Sequence, residues 1–541
     1  MLALLPFVVV ASTPLVLITV DDLSADSLGS YGCPVEGTSP QLDAFAADSR
    51  VFRHAHVQVG NCMPSRNVMM SGFYPFQNGV EGFRQITDHP KPTLCEDLAA
   101  AGYFTAIRGK ALHSTPYHPF PTWDLIDDLP SGVAKRQSAL DKKDPASFGN
   151  SVRVAAEAAS AAGKPLFLNI NISDPHKPFY SGTDDPNPPS KIFTASEIVV
   201  PGFLVPLKDD PRVREEVAMY YSSVRRADDA FGAIVAALKE ANLYDEAVIV
   251  FLSDHGMPLP FAKTQLYYHS TRTPLMVRGP GVTAGEDARH VVSAVDLMPT
   301  MLDAIGASVD RDFAGRSFAT LLDGGSQDDR DHCVLTYFEN SGRNRHPMRA
   351  VRTRDWSYLF NPWSDGVEDF ATATDSTASY QALRRTAAKS DVASARLQLM
   401  DHRVREELYH DAEDPDALTN LIDEQPEKAD ELRAVLLDWM REQNDPLADV
   451  FASRSDEAIA AYMKTQTELE DAIKTARQKK RTERLEAERN KKKSRKVTPG
   501  PSNAKRGNGN GKSAKKSAKK SAKKNAKGSE ADRPRSVPTQ P

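Results

Sequence analysis

Short apolar runs alternate with longer amphipathic stretches along most of the chain. The runs are rich in β-branched and aliphatic residues and occupy residues 16–20, 165–172, 247–252 and 274–277. Runs of this length and composition predict strands that are buried in a sheet. Apolar residues recur at helical spacing between them, at residues 151–162 and 213–241, and behind Ser39-Pro40, a typical helix start.

Strands that alternate with helices predict an α/β fold with a mostly parallel central sheet sandwiched by helices. In such sheets, functional groups gather at the carboxyl ends of the strands. Three polar clusters directly follow predicted strands: Asp21-Asp22, Asp174-Pro175-His176 and Asp254-His255. The pattern therefore predicts a functional site at one edge of the sheet.

The pattern changes near residue 346. Shorter predicted strands follow at residues 350–352, 356–360 and 407–409, and then an amphipathic helix at residues 428–442. This pattern indicates a smaller C-terminal α+β domain. We therefore predict an apolar N-terminus over residues 1–13, a larger α/β domain over 14–345, the smaller domain over 346–447, a charged helical extension over 448–496 and a disordered Lys-rich tail over 497–541.

Charge is distributed unevenly along the 541 residues, although the formal net charge is only −5. Residues 475–541 hold 23 Lys and Arg against 5 Asp and Glu, and the sequence Lys-Ser-Ala-Lys occurs three times there. The rest of the chain is acidic. The tail has too few apolar residues to fold, and its charge suits it to bind polyanions such as nucleic acid or heparin-like glycans.

The chain begins with an apolar stretch that ends in small residues. It is similar to a secretory signal, although it lacks the positive lead-in, and an ordinary apolar terminus is the alternative. We expect export to a periplasmic, secreted or lysosome-like compartment rather than a cytoplasmic location. No later stretch predicts a transmembrane segment. The four cysteines form no C-x-x-C pair, so neither a disulfide framework nor a zinc site is predicted.

The sequence Cys62-Met63-Pro64-Ser65-Arg66 is the sharpest chemical feature. Proline is favoured in the first turn of a helix, so Cys62 is predicted to lie at a helix N-terminus. Anions are stabilised there, and a thiol is expected to become more acidic. The alternative is a buried structural cysteine.

The pentapeptide resembles the Cys-x-Pro-Ser-Arg signature of the type I sulfatases in the alkaline-phosphatase superfamily. The resemblance extends over residues 14–445. It implies a hydrolase in which a formylglycine-generating or other sulfatase-maturating enzyme oxidises Cys62 to formylglycine. It also implies an alkaline-phosphatase-like fold and a sulfated carbohydrate as the substrate.

Adjacent acidic residues indicate a cation site. Neighbouring carboxylates repel unless a cation joins them, and hard oxygen ligands favour Ca²⁺ or Mg²⁺. The resemblance implies one ion, usually Ca²⁺, bound by Asp21, Asp22, Asp254 and residue 62. His255 matches the Asp-His-Gly variant of the iduronate-2-sulfatases, so His255 either binds the ion or only lines its site.

Basic elements appear in the order that the family has them. They are Lys110 and His113 in Gly-Lys-Ala-Leu-His, His176 in Asp-Pro-His-Lys-Pro, and Lys263. A sulfate dianion needs such donors when it leaves water. The resemblance implies that Arg66, Lys110 and Lys263 bind the sulfate oxygens, that His176 protonates the leaving group, and that His113 assists release of sulfate.

Two further stretches resemble the heparan N-sulfatases: residues 258–268, and His346-Pro-Met-Arg349 with the residues after it. Arg349 and Asp174 are accordingly predicted to bind substrate. Lys263 lies where those enzymes have Arg. A lysine keeps the positive charge but cannot form the two parallel hydrogen bonds of a guanidinium group. A carbohydrate O-sulfatase of the uronate-2- or glucosamine-6- type is therefore an alternative. A second alternative is an inactive, polyanion-binding protein.

Overall fold

The computed structural model describes residues 12–87, 90–118, 123–127, 142–182, 184–307, 309–370 and 372–497, with only the backbone described at 118 and 488–497. The chain divides into two compact units, one ending at Ala476 and the other starting at Arg477. The described part of the second unit is helical. The predicted tail beyond Val497 and the predicted apolar terminus up to residue 11 lie outside the described residues.

Fourteen strands occur in the described residues, and most are short. They are β1 (Leu15–Asp21), β2 (Arg50–His56), β3 (Ile86–Thr87), β4 (Phe104–Arg108), β5 (Tyr117–His118), β6 (Leu125–Ile126), β7 (Leu166–Pro175), β8 (Val248–Ser253), β9 (Leu275–Arg278), β10 (Gly285–Ser293), β11 (His332–Glu339), β12 (Arg345–Thr353), β13 (Ser357–Phe360) and β14 (Glu406–Tyr409).

The α-helices of the described residues vary widely in length. They are α1 (Pro40–Ala47), α2 (Cys62–Ser71), α3 (Pro75–Asn78), α4 (Leu94–Ala100), α5 (Ala111–Ser114), α6 (Pro145–Ala162), α7 (Pro211–Glu240), α8 (Tyr268–Thr271), α9 (Leu297–Ala304), α10 (Ala319–Leu322), α11 (Ala378–Ala387), α12 (Asp391–His402), α13 (Pro426–Glu442), α14 (Ala448–Ser453) and α15 (Asp456–Val497). None is long and apolar enough to cross a membrane.

Eight strands form the central sheet in the order β10-β2-β9-β8-β1-β7-β4-β6. All adjacent pairs are parallel except those that include β9, which runs antiparallel to both β8 and β2. The strands β1 and β8 at its centre are completely buried, which explains their continuous apolar sequences. The predicted α/β class, with a mostly parallel central sheet, is confirmed.

Side chains of β1 and β8 alternate between two hydrophobic cores, one on each face of the sheet. Val16, Ile18 and Phe251 belong to the core that includes residues of α6 and α7. Leu17 and Val250 belong to the core that includes residues of α4 and α9. Helices therefore cover both faces, and the polar residues that could serve a reaction are left at the strand ends.

A second sheet, antiparallel and ordered β11-β12-β13-β14, follows in the chain. One face packs on residues of α13 and α14, and the other face, with Leu335, Tyr337 and Met348, joins the core of the central sheet. The sheet begins at His332, which lies before the predicted domain boundary at residue 346. Both predicted domains fall within the first compact unit, so their division stays a prediction.

Candidate active site

Three carboxylates meet where the two central strands end. Asp21 is the last residue of β1, Asp22 follows it, and Asp254 follows β8. The strands are in register, with Val20 opposite Ser253, so their ends lie side by side. All three side chains are fully buried, and the Asp22 amide donates a hydrogen bond to Asp254 Oδ1 at 3.1 Å. The predicted gathering of acids at one sheet edge is what the structure shows.

Cys62 is the first residue of α2 and faces the acidic group. Asn61 precedes the helix in extended conformation, and Gly72 ends it with φ 69°, a conformation that glycine adopts readily. Cys62 Sγ lies 3.2 Å from His255 Nε2. Ligand atoms of Asp21, Cys62, Asp254 and His255 all lie within 4.8 Å of one another.

Three basic side chains surround the carboxylates. Lys263 Nζ is 2.6 and 2.8 Å from the two oxygens of Asp22, and Lys110 forms an ion pair with Asp21. Arg66, one turn into α2, places Nη2 2.9 Å from Asp254 Oδ2. Three buried carboxyl groups thus face three basic side chains. Isolated charges could not be buried at this depth.

The loops that carry these groups adopt unusual backbone conformations. Asp22 has φ 69° and Lys110 has φ 55°, in the left-handed region that side chains other than glycine rarely adopt. A Cβ at Gly60 would lie 2.5 Å from the carbonyl oxygen of Gln265, so only glycine lets the loop before Cys62 lie against the segment that bears Lys263. Strained positions of this kind cluster at functional sites.

Charge pairing lowers the pKa of Asp21 and Asp22, whereas burial raises the pKa of Asp254 despite its pairing with Arg66. Burial raises the pKa of Asp21, but Lys110 and the other cations outweigh it and hold the pKa well below its usual value. Burial lowers the pKa of Lys263, and Asp22 with the neighbouring acids reverses this effect and raises it. The lysine ammonium and its aspartate are therefore both ionised near neutral pH.

The thiol of Cys62 does not become acidic as predicted. Burial raises its pKa well above the ordinary value, and Asp21 and Asp254 add to this effect, while Lys263 and Lys110 oppose it. The helix N-terminus lies where the sequence placed it, so the prediction of an acidic thiol is wrong because of the burial and the nearby carboxylates.

The residues present fit a hard divalent cation. Asp21 Oδ1 is buried and accepts no hydrogen bond from a described residue, and Arg66 Nη2 is 3.9 Å from it. His255 Nδ1 lies 3.0 Å from the carbonyl oxygen of Gly256. A neutral ring must donate from Nδ1 there, which leaves the Nε2 lone pair directed at Cys62 and Asp22. Carboxylate-rich sets of this kind bind Ca²⁺ or Mg²⁺.

Two histidines border the cluster. His176 has a ligand atom within 4.8 Å of those of Asp21 and Asp22, and its Nδ1 lies 2.6 Å from the carbonyl oxygen of Lys177. His113 lies on α5 with its ring 5.7 Å from that of Phe83. Burial, with Lys110, lowers the pKa of His113 to about 3, so this ring is neutral at physiological pH.

The two predicted substrate-binding residues both have partners inside the protein. Arg349 is completely buried, with Nε 2.5 Å and Nη2 2.9 Å from the carboxylate oxygens of Asp445. Asp174 is also buried, 2.6 Å from Lys143 Nζ and 2.6 Å from Arg226 Nε. Asp174 thus anchors the loop that bears His176, and the assignment of both residues to substrate binding stays a prediction.

Sequence reasoning missed Thr19 and Asn171, which hold Arg66 in place. They are paired in register on β1 and β7, and Thr19 Oγ1 donates to Asn171 Oδ1 at 2.5 Å. Arg66 Nη1 donates to both oxygens, at 2.6 and 2.5 Å. The available signal was a polar residue inside each of two apolar strand runs, since buried polar side chains require partners.

Comparison with known proteins agrees with this geometry. The sulfatase family model matches residues 14–307, and the model for the C-terminal part of N-sulphoglucosamine sulphohydrolase matches residues 254–371. The human N-sulphoglucosamine sulphohydrolase is 27% identical over 80% of this chain and 90% of its own length. The endo-4-O-sulfatase of Bacteroides thetaiotaomicron is 26% identical over 58% of this chain and 75% of its own.

Solved structures show the same fold. The crystal structure of a putative sulfatase from Bacteroides thetaiotaomicron superposes with a TM-score of 0.57 at 19% identity, over 80% of this chain and 93% of that one. The first family model alone spans more than half of the chain. The chain therefore belongs to the sulfatase family of hydrolytic enzymes.

Proposed function

We propose that this chain hydrolyses sulfate esters or sulfamates of carbohydrates at residue 62, after a sulfatase-maturating enzyme has converted Cys62 to formylglycine. The observation that carries the proposal is the position of Cys62. It starts a helix, lies among Asp21, Asp254 and His255, and is ringed by three cationic side chains. The side chains suited to bind an anion thus surround residue 62. The aldehyde, once hydrated, would supply the oxygen that attacks sulfur.

The metal proposed for this site is Ca²⁺, with Mg²⁺ as the alternative. Asp21, Asp22, Asp254 and residue 62 would hold it, with His255 as a further ligand through Nε2. When bound, a divalent ion supplies positive charge that stabilises the negative charge developing on the sulfate oxygens. The donor set supports the proposal because buried carboxylate oxygens are the ligands that such ions prefer, and Asp21 Oδ1 has no hydrogen-bond donor among the described residues.

Arg66, Lys110 and Lys263 are proposed to bind the sulfate oxygens. Their pairing with the carboxylates keeps all three charged at the edge of the sheet. Charge-assisted hydrogen bonds from fixed donors stabilise a transition state in which charge moves onto oxygen. Arg66 is held by Thr19 and Asn171 and is the most rigidly positioned of the three.

The two histidines are proposed to handle protons. His176, half-buried beside Asp21 and Asp22, would protonate the departing oxygen or nitrogen. His113 would assist release of sulfate from residue 62 as a neutral hydrogen-bond donor. Its low pKa supports this assignment, since a neutral ring adds no charge that would hold the product.

The substrate class proposed first is an N-sulfated glucosamine, as in heparan. This rests on the human N-sulphoglucosamine sulphohydrolase, which matches at 27% identity over most of both chains, and on the C-terminal family match. The alternative is an O-sulfated sugar, which the similarity to an endo-4-O-sulfatase favours. An inactive polyanion-binding protein is the remaining alternative.

Release of inorganic sulfate from a panel of sugars separates these functions. The purified full-length chain is incubated with N-sulfoglucosamine and with 2-O-, 4-O- and 6-O-sulfated saccharides, with Cys62→Ala as the blank. Release from N-sulfoglucosamine alone is the expected result, and release only from an O-sulfated sugar would establish the alternative. No release by protein that carries formylglycine and bound metal would contradict the enzymatic proposal.

Export and binding of polyanions by the basic tail are proposed as well. The apolar start of the chain supports export. The positive charge after residue 475 supports retention on anionic surfaces or glycans.

A further inference from the structure

A cluster of aromatic and basic side chains lies on the inner face of the second sheet, outside the site described above. Phe370 is at its centre: its ring centroid is 5.0 Å from that of His346, 5.1 Å from that of Trp363 and 6.1 Å from that of Tyr337. The Arg403 guanidinium lies 5.1 Å from the same ring. We call these five residues the Phe370 recess.

Arg403 is a buried cation that forms no ion pair with a described residue. Only 3% of its surface is exposed, and none of its three guanidinium nitrogens forms a hydrogen bond with a described residue. Its described contacts are the faces of Phe370 and Tyr267, the latter at 4.4 Å. By contrast, the neighbouring buried Arg396 donates to the carbonyl oxygens of residues 203, 416 and 417. A buried guanidinium group needs hydrogen-bond acceptors. The described residues provide none for Arg403.

Other polar groups of the recess are also unpartnered within the described part of the chain. Both ring nitrogens of His346, Nε1 of Trp363 and the Tyr337 hydroxyl are buried and form no hydrogen bond. Most of these groups are donors, as is Arg403. A ligand that satisfied these groups would be rich in acceptors, and the charge of Arg403 would favour an anion.

A carboxylate already lies near the recess on its solvent side. Residues 365–369 form an exposed turn between Trp363 and Phe370, and Glu368 Oε1 is 3.4 Å from His346 Nε2. The Glu368 side chain is half exposed. Glu368 therefore covers the solvent-facing side of His346, and an incoming anionic group would have to replace it.

The recess adjoins the two segments that carry Cys62 and Lys263. Tyr337 lies on β11 two residues before Glu339, whose carbonyl oxygen accepts a hydrogen bond from Asn61 Nδ2 at 3.2 Å. Tyr267, which stacks under Arg403, lies four residues after Lys263. The recess is therefore linked to the site of residue 62 through β11 and through the segment that follows Lys263.

We infer that the Phe370 recess binds an anionic group, a carboxylate or a second sulfate, on the sugar next to the one that is hydrolysed. The inference rests on the proposed function, because it takes the ligand to be part of a sulfated saccharide. Arg403 binds the anion, His346 and Trp363 donate further hydrogen bonds, and the aromatic rings exclude water. The recess thereby selects acidic saccharides over neutral ones.

The test compares three sulfated disaccharides: one with a uronate neighbour, one in which that carboxyl group is reduced to an alcohol, and one with a second sulfate on the reduced sugar. The wild-type chain should have a higher kcat/KM for the two acidic substrates. In Arg403→Met, the acidic-to-neutral ratio should fall about 10- to 100-fold, the range expected for one buried charge-assisted hydrogen bond. The loss should appear mainly in KM, since the contact forms in the ground state.

Two variants separate recognition from folding. Arg396→Met removes a nearby buried guanidinium that already has acceptors, so it should lower stability and leave the ratio unchanged. Glu368→Gln should raise the ratio, because it removes the competing carboxylate. If Arg403→Met fails to fold, an unchanged ratio in Glu368→Gln overturns the inference.

The outcomes distinguish the inference from the function on which it rests. Turnover of none of the three substrates would contradict the proposed function. Turnover of all three at equal kcat/KM, or an equal ratio in Arg403→Met, would overturn the recess alone. A crystal structure with the acidic product bound and only water at Arg403 would overturn it as well.

Discussion

Two ionic clusters in the same compact unit, one buried and one partly exposed, differ in how completely their atoms are partnered. In the cluster proposed as catalytic, which comprises Asp21, Asp22, Asp254 and the basic side chains paired with them, Asp21 Oδ1 and Arg66 Nε form no hydrogen bond with a described residue. In the second, the His269 cluster, Nδ1 lies 2.9 Å from Asp26 and Nε2 lies 3.0 Å from Asp416. Both carboxylates therefore accept a hydrogen bond from a doubly protonated ring.

The difference shows what each cluster is suited to do. The His269 cluster joins the segment after β1, helix α8 and the loop near residue 416, and Arg272 completes it by pairing with Asp26. Its partners are internal, so it stabilises the fold. The cluster proposed as catalytic has polar atoms without hydrogen-bond partners among the described residues, and it lies at the edge of the sheet. It is therefore suited to bind a metal cation and an anionic substrate. Replacements in the two clusters should therefore affect different measurements.

The largest effect is expected from Cys62→Ala. Sulfate release should fall by at least about a thousandfold, as for loss of a nucleophile in other enzymes. The midpoint of thermal unfolding should hardly change, because the thiol fills little volume. Initial rates and circular-dichroism melting would check both, with Cys95→Ala, in the core behind the sheet, as the control for a buried cysteine. Substantial turnover by Cys62→Ala would show that the reaction does not depend on residue 62, and the cluster around it would then have no more claim to catalysis than the His269 cluster.

Asp22→Asn should lower metal affinity and turnover together. Even residues that only support a metal ligand typically change affinity 10- to 100-fold, so a loss of at least about tenfold is expected. Asp245→Asn, which alters an exposed aspartate, is the matched control and should change neither. Titration of the chelated protein with Ca²⁺, followed by elemental analysis, measures the affinity. Full activity in a chain free of metal would contradict the site.

His269→Gln should change stability and its pH dependence. The hydrogen bonds and charges of Asp26 and Asp416 outweigh burial and raise the pKa of His269 from 6.5 to about 9. A raised pKa contributes stability that is complete below pH 6.5 and is lost as pH rises through about 9, with a total on the order of 3 kcal/mol. The urea midpoint of the variant should thus fall at pH 6 and approach that of the wild type near pH 10.

The exposed His332 provides the control for this prediction. His332→Gln should leave the urea midpoint unchanged at both pH values. Equal losses in His269→Gln at pH 6 and pH 10 would show that packing, and not charge, is the contribution of the ring.

The smallest effect on turnover is expected from removing the basic tail after residue 497. That segment has too few apolar residues to complete a buried site, so the rate on a small sulfated sugar should not change. Elution from a heparin column should shift to lower salt, because fewer positive charges bind the matrix. A large loss of turnover would show that the tail contributes to the active site, and would contradict the assignment of that site to the first compact unit alone.

Sequence patterns predicted the elements of the site better than their contacts. Asp21, Asp22 and Asp254 were predictable because buried parallel strands end at a common edge, and Cys62 because proline marks the first turn of a helix. Strand β9 was recognisable as an apolar run, but its direction was not, since apolar content does not distinguish parallel from antiparallel pairing.

Long-range partners explain the rest. Arg349 was assigned to substrate because of its neighbours in sequence, yet its partner Asp445 is 96 residues away. The thiol of Cys62 was predicted to be acidic from its position at a helix N-terminus alone. Burial and the carboxylates of Asp21 and Asp254, which lie at the ends of β1 and β8, instead raise its pKa. Contacts of this kind depend on the whole fold and cannot be read from local spacing.

The chemical state of residue 62 in active protein tests the central claim most directly. Mass analysis of the peptide that contains it, from protein produced with a sulfatase-maturating enzyme, should show the aldehyde in place of the thiol. Sulfate release from a sulfated sugar should rise in proportion to the converted fraction. Full activity in a preparation whose residue 62 is entirely thiol would contradict the account.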